Sequence, residues 1–106
     1  MAVILDKADG VDKTDELEPL ATTFKALSDP ARLKILRYLA EQITCCNCAC
    51  DLEGITGLSQ PTVSHHMKIL LASGLVSGEK QGRWMYYRVD SDGLEALQKS
   101  LTHLTT

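Results

Sequence analysis

The chain has 106 residues, enough for one domain and too few for two, since domains usually run to roughly 100 to 150 residues. Hydrophobic residues make up 44% and charged residues 24%, ordinary values that exclude a collagen-like, fibrous or wholly disordered chain. The net charge of -3 hides an uneven distribution: residues 1–29 carry seven acids against three bases, whereas residues 59–89 carry Lys68, Lys80, Arg83 and Arg88 against Glu79 alone. A basic second half keeps a nucleic-acid partner open despite the acidic total. No apolar run approaches the roughly 20 residues that cross a bilayer, and Ala2 to Leu5 is too short for a signal-peptide core before Asp6 interrupts it. The expectation is a cytoplasmic protein with no membrane partner.

Residues 1–14 alternate single charges with small residues without a period and read as a flexible acidic tail, leaving 15–106 as the folded domain. From Asp15 onward, Leu17, Leu20, Phe24 and Leu27 form one stripe of a helix that Ser28-Asp29-Pro30 interrupts. Asp29 caps a second helix with Pro30 at its first position, where a missing N–H does no harm. That helix is expected to run to Glu41, burying Leu33, Leu36, Leu39 and Ala40 and leaving Arg32, Lys34 and Arg37 in solvent. After a cysteine-rich segment, Asp51 to Ile55 reads as a short helix ending at Thr56-Gly57-Leu58. Ser59 caps a helix that runs to Ser73, with Gly74 as its stop. Leu75 to Lys80 and Arg83 to Val89 form a hairpin around Gln81-Gly82, and the last helix, from Ser91, carries Leu94, Leu97, Leu101 and Leu104 on one stripe.

Two helices joined by a short glycine-containing turn and followed by a β-hairpin describe a winged helix-turn-helix, a mainly α fold (α+β) with a hairpin wing. The stripes Leu17, Leu20, Phe24 and Leu94, Leu97, Leu101, Leu104 lack a second partner inside so small a domain. They predict a homodimer built on the first and last helices, with two recognition helices roughly 34 Å apart.

In the helix after Ser59, Val63, Met67 and Leu70 fall on one side and face the core. Pro61, Thr62, His65 and Lys68 fall opposite, with Gln60 and Ser64 on the flank. Gln60 and Thr62 suit base edges, Ser64 and His65 reach bases or phosphates, and Lys68 is better placed for phosphate. His66 falls beside the buried stripe and reads as a histidine hydrogen-bonded at the helix edge. The hairpin tip Lys80-Gln81-Gly82-Arg83 presents two bases that suit backbone or minor-groove contact. Trp84, Tyr86 and Tyr87 read as packing groups. No nucleophile, base and orienting group recur at a catalytic spacing, so an enzyme is not expected.

Cys45, Cys46, Cys48 and Cys50 fall within six residues, unlike a disulfide framework, whose cysteines are spread to close loops. A structural zinc site normally takes two separated pairs, because one short loop cannot set four sulfurs around an ion without strain. Oxidation or persulfidation of a close pair is a second reading. A soft-ion sensor is the leading one: As(III) or Sb(III) takes three sulfurs, and Cd(II), Pb(II) or Zn(II) are further candidates. In one helix Cys48 and Cys50 would stand about 200° apart, whereas in an extended segment they share a side. Ion binding is therefore expected to unwind or shift the start of the short helix.

The stretches Leu27-Ser28-Asp29-Pro30-Ala31-Arg32-Leu33, Cys48-Ala49-Cys50-Asp51-Leu52, Leu58-Ser59-Gln60-Pro61-Thr62-Val63-Ser64-His65-His66 and Gln81-Gly82-Arg83-Trp84 together resemble the ArsR/SmtB family of winged-helix metalloregulatory repressors, over about residues 17 to 104. The resemblance implies a homodimer on a palindromic double-stranded operator, released when a toxic metal or metalloid binds. The Cys-x-Cys-Asp-Leu stretch resembles the arsenic-sensing members, which implies Cys48 and Cys50 as ligands. A third cysteine often found three residues further on is replaced here by Glu53, so the third sulfur falls to Cys45 or Cys46, with Cys46 slightly favoured by its alternate spacing. Zinc-type ligands on the last helix are not expected, since His103 and Asp92 lack the paired-histidine spacing. Two other functions compete: a redox- or persulfide-responsive repressor, and a thiol metal-binding protein without a DNA partner.

Overall fold

The computed structural model describes the backbone of residues 7–42 and 47–106 and the side chains of residues 17–42 and 50–106. Helix α1 spans Lys7–Ala26 and α2 Pro30–Glu41; a short strand β1, Asn47–Cys48, leads into α3, Ala49–Thr56, and α4 follows over Gln60–Ser73. Strands β2, Val76–Gln81, and β3, Trp84–Val89, precede α5, Ser91–Thr105. This is the winged helix-turn-helix order that the sequence predicts, with a longer first helix and an added short strand β1. Helix α1 starts at Lys7, inside the stretch read as a tail, and residues 1–6 of that tail lie outside the described residues. The single charges there do not break a helix, because none of those residues is a strong helix breaker apart from Gly10.

The break between α1 and α2 is built by Asp29. Its side chain accepts from the backbone N–H of Ala31 at 2.8 Å and of Arg32 at 3.3 Å, satisfying two of the donors a helix start leaves open. Pro30 sits in the first turn as expected. Burial opposes the charge on Asp29, but the two backbone N–H groups and the Arg32 guanidinium outweigh it and hold the carboxyl below its ordinary value.

The core gathers around Ile35 and Leu39 of α2, Leu52 of α3, Val63, Met67 and Leu70 of α4, Val76 of β2 and Tyr87 of β3. Within α2 the inward face differs from the expectation: Ile35 and Leu39 are buried, Leu36 is half-buried, and Leu33 and Ala40 are exposed, Leu33 at 49%. Helix α2 carries apolar residues on more than one side, so spacing alone allowed either face, and the docking of α3 and α4 chose the one with Ile35. Leu33, Leu36 and Ala40 instead line an open apolar groove together with Leu94 of α5. Arg32, expected in solvent, has a side chain only 12% exposed.

The sheet has three strands in the order β1-β3-β2, both pairs antiparallel. The hairpin pairs Val76 with Val89 and closes with Gln81 opposite Trp84, so the turn is Gly82-Arg83, one residue later than predicted. Strand β1 was not predicted. Two residues are too few to show a period, and they are extended because Asn47 and Cys48 pair with Tyr87 and Tyr86.

Replacing Asp29 by alanine is expected to lower the melting temperature at pH 7 by removing the cap. A carboxyl held below its ordinary value stabilises the fold above that value and loses the contribution as pH falls through the folded one. The difference in melting temperature between the wild type and Asp29→Ala should therefore shrink as pH drops below 3.8, measured by thermal denaturation across an acid series.

Candidate nucleic-acid interface and thiol segment

Helix α3 ends where Gly57 takes a positive φ of 71°, a backbone state that glycine adopts without the penalty a Cβ would bring. Its N–H donates to Glu53 O at 2.9 Å, and Thr56 Oγ1 donates to Leu52 O at 2.6 Å and accepts from Leu58 N at 3.2 Å. This compact turn delivers the chain to Ser59, the N-cap of α4. The Ser59 hydroxyl pairs with the Thr62 hydroxyl at 3.0 Å, not with a backbone N–H, while Ser59 O accepts from Val63 N at 2.9 Å.

Val63, Met67 and Leu70 are sunk into the core, as their spacing predicts, which turns the remainder of α4 outward. Gln60, Pro61, Thr62, Ser64, His65 and Lys68 are all exposed, so the structure brings the five α4 residues singled out as DNA-reading onto one accessible surface. Their donors and acceptors are of the kind that meet base edges and phosphates. The predicted wing residues Lys80 and Arg83 are exposed near the hairpin tip, where Gly82 has a positive φ of 65° that a tight two-residue turn requires. Trp84, expected to pack, is 52% exposed beside Arg83, whereas Tyr87 is buried. Strand alternation decides this: Trp84 and Tyr87 stand on opposite faces of β3, and only one face meets the core.

His66 is 9% exposed and hydrogen-bonded, as read from the sequence, but its partner could not be read there: Arg32 Nη1 lies 3.0 Å from His66 Nδ1. The two residues are 34 positions apart, and nothing in the spacing of either helix announces the contact.

The four cysteines meet different fates. Cys45 and Cys46 lie outside the described residues. Cys48 is the last residue of β1 and Cys50 the second residue of α3, where it is exposed. The pair therefore straddles a strand-to-helix junction, with Cys50 on the helical side of the start that the sequence reading placed after both cysteines. Helix α3 begins at Ala49, two residues earlier than predicted, so Cys50 lies inside its first turn. Among the described residues no three His, Cys, Asp or Glu side chains gather into a metal site.

On α1 and α5, Leu17, Phe24, Leu101 and Leu104 are exposed and Leu94 and Leu97 half-buried, but Leu20 is buried within the single chain. Leu20 thus belongs to the protomer's own packing and leaves the set of residues that lack an intrachain partner. Among the described residues no helix is long and apolar enough to cross a membrane.

A helix-turn-helix whose second helix buries one side and offers a polar, basic other side, followed by a β-hairpin wing, defines the winged helix-turn-helix class of transcriptional regulators. Residues 29–77 match the model of the bacterial regulatory protein arsR family. An HTH-type transcriptional regulator of Methanocaldococcus jannaschii is 37% identical over 85% of this chain and 99% of its own length. The arsenical resistance operon repressor of Staphylococcus xylosus is 40% identical over 82% of this chain and 81% of its own. A solved structure of the homodimeric winged helix-turn-helix DNA-binding domain of a Mycobacterium bovis protein superposes with a TM-score of 0.70 at 27% identity, covering 99% of this chain and 88% of that one. The chain belongs to the ArsR family, whose members are transcriptional regulators and not enzymes.

Proposed function

We propose that this protein is a homodimeric transcriptional repressor that grips a palindromic double-stranded operator and lets go when a thiophilic ion, arsenite or antimonite first, binds its cysteine segment. The observation that carries the reading is the division of α4 into a buried face, Val63, Met67 and Leu70, and an exposed polar face, Gln60, Thr62, Ser64, His65 and Lys68. The exposed Lys80 and Arg83 of the wing extend the basic surface. Both support a DNA partner over a purely thiol-based function.

The dimer is supported by the apolar side chains that α1 and α5 leave in water, Leu17, Phe24, Leu101 and Leu104, each of which gains by burial against a second copy. The inducer reading is supported by donor chemistry, because thiolates match soft As(III) and Sb(III), with Cd(II), Pb(II) and Zn(II) as weaker alternatives. Cys48 and Cys50 would supply two sulfurs, and Cys45 or Cys46 the third. Since Cys50 sits in the first turn of α3 and Cys48 in the strand before it, drawing the two sulfurs toward one ion would strain that junction. Helix α3 packs directly on α4, so strain at its start would disturb the DNA-reading helix.

On the duplex that the protein selects from a random-sequence pool, Gln60→Ala should lose about tenfold in affinity while keeping its affinity for an unrelated duplex. Lys68→Ala and Arg83→Ala should weaken both duplexes alike and each flatten the salt dependence by about one unit of slope, read by fluorescence anisotropy at several salt concentrations. Equal loss on both duplexes for Gln60→Ala would count against the recognition-helix assignment.

Leu97→Glu combined with Leu101→Glu should convert the dimer to a monomer in analytical ultracentrifugation. A wild-type monomer at micromolar concentration would remove the dimer from the reading.

Arsenite added to the protein–DNA complex should release the DNA, and Cys48→Ser and Cys50→Ser should each abolish release while keeping DNA affinity. Of Cys45→Ser and Cys46→Ser, only one should do so. Release by peroxide or polysulfide, but not by arsenite, would turn the assignment to a redox-responsive repressor.

A further inference from the structure

Arg32 is the second residue beyond Pro30 at the start of α2, yet its guanidinium spends its donors on two other helices. Nε donates to Ala26 O at 2.6 Å and Nη2 to Lys25 O at 3.4 Å, both carbonyls in the last turn of α1. Nη1 reaches His66 Nδ1 on α4 at 3.0 Å, and Asp29 Oδ2 lies 3.9 Å from the same nitrogen. A guanidinium has donors only, so His66 Nδ1 must accept, which fixes the imidazole as the neutral form with its proton on Nε2. The carbonyls at a helix C-terminus have no partner within the helix, so Arg32 closes the end of α1 with one edge and holds α4 with the other.

The two side chains are well shielded, Arg32 at 12% and His66 at 9% exposure, and a hydrogen bond withdrawn from water has a stricter geometry and a larger cost when broken. His66 sits between the exposed His65 and the buried Met67 on α4. Being buried, it lies outside the exposed surface that Gln60, Thr62, Ser64 and His65 form. The rigid fork of an arginine spans acceptors on two elements at once, which the single ammonium of a lysine does not.

We propose that Arg32 and His66 are positioning residues that lock the rotation of the recognition helix α4 against the C-terminal end of α1, and so set the angle at which its polar face is presented to DNA. The inference rests on the repressor reading for its consequence, because α1 is there the dimerisation helix: a link from α1 to α4 fixes the relation of one recognition helix to the other across the dimer. Sequence-specific contacts depend on that angle, whereas phosphate attraction tolerates small rotations.

The test compares His66→Leu, which removes the acceptor, with His66→Asn, whose Oδ1 occupies the same position along the side chain as Nδ1. His66→Leu should lose about tenfold in affinity for the duplex selected from a random pool by the wild type, with a much smaller loss on an unrelated duplex. His66→Asn should recover most of that loss. A general structural defect would lower both affinities together and would not be rescued by the amide, so equal losses, or an asparagine variant no better than leucine, would overturn the proposal. The nitrogen chemical shifts of His66 in the DNA-free protein provide a separate readout. They should report the Nε2-protonated form in the wild type and a mixture of forms in Arg32→Lys. If the wild type selects no duplex, the repressor reading fails. The link is then judged by the shifts alone: a mixture already present in the wild type overturns it, and a single form lost in Arg32→Lys upholds it.

Discussion

Helix α4 has to satisfy two opposite demands with one stretch of 14 residues, and the rest of the fold is arranged around that constraint. Val63, Met67 and Leu70 must be dry for the domain to have a core at all, because so small a protein buries only a modest share of its surface. Gln60, Thr62, Ser64, His65 and Lys68 must be wet for the helix to meet a polar partner. Ile35 and Leu39 from α2, Leu52 from α3 and Tyr87 from β3 close over the dry side, and each buried side chain of this size contributes roughly 1.5–3 kcal/mol. Removing any of them would loosen the same helix that carries the exposed polar face, which is why stability and presentation are inseparable here.

Two features control how the wet side is aimed. The turn at Gly57 sets the direction in which α4 leaves α3, with Thr56 using its hydroxyl to satisfy Leu52 O and Leu58 N at once. The fork of Arg32 then ties α4 to the end of α1 through His66. Asp29 supports that fork from the other side by capping α2 through the N–H of Arg32 itself. Cap, fork and histidine make one connected polar set between three helices.

The thiol segment occupies the place where the sheet and the helix-turn-helix meet. Its Cys48 end is paired to Tyr86 of the wing strand β3, and its Cys50 end lies in the first turn of α3. Strain introduced at this junction has two short mechanical routes, one into the wing and one into the helix that packs on α4. Under the proposed function, a sensor here would need no long path to the exposed face of α4, since the elements it joins support that helix.

Local chemistry was legible in the sequence because it acts over a few residues. Asp29-Pro30 forces a helix start, Val63, Met67 and Leu70 repeat at helical spacing, Gly74 ends a helix in the left-handed conformation, and the strand formers Trp84, Tyr86, Tyr87 and Val89 make a strand. Together these determined the order of the elements apart from β1, the fold class and the outward face of α4. Tertiary structure alone decided what depends on residues far apart in the chain. The choice of Ile35 over Leu33 for the core was made by the docking of α3 and α4. The burial of Leu20 within one protomer, the exposure of Trp84 and the strand state of Asn47 and Cys48 were likewise set by neighbours from other elements. The Arg32–His66 contact spans 34 positions, and periodicity carries information only about which side of its own helix a residue occupies, not about what another helix will bring to meet it.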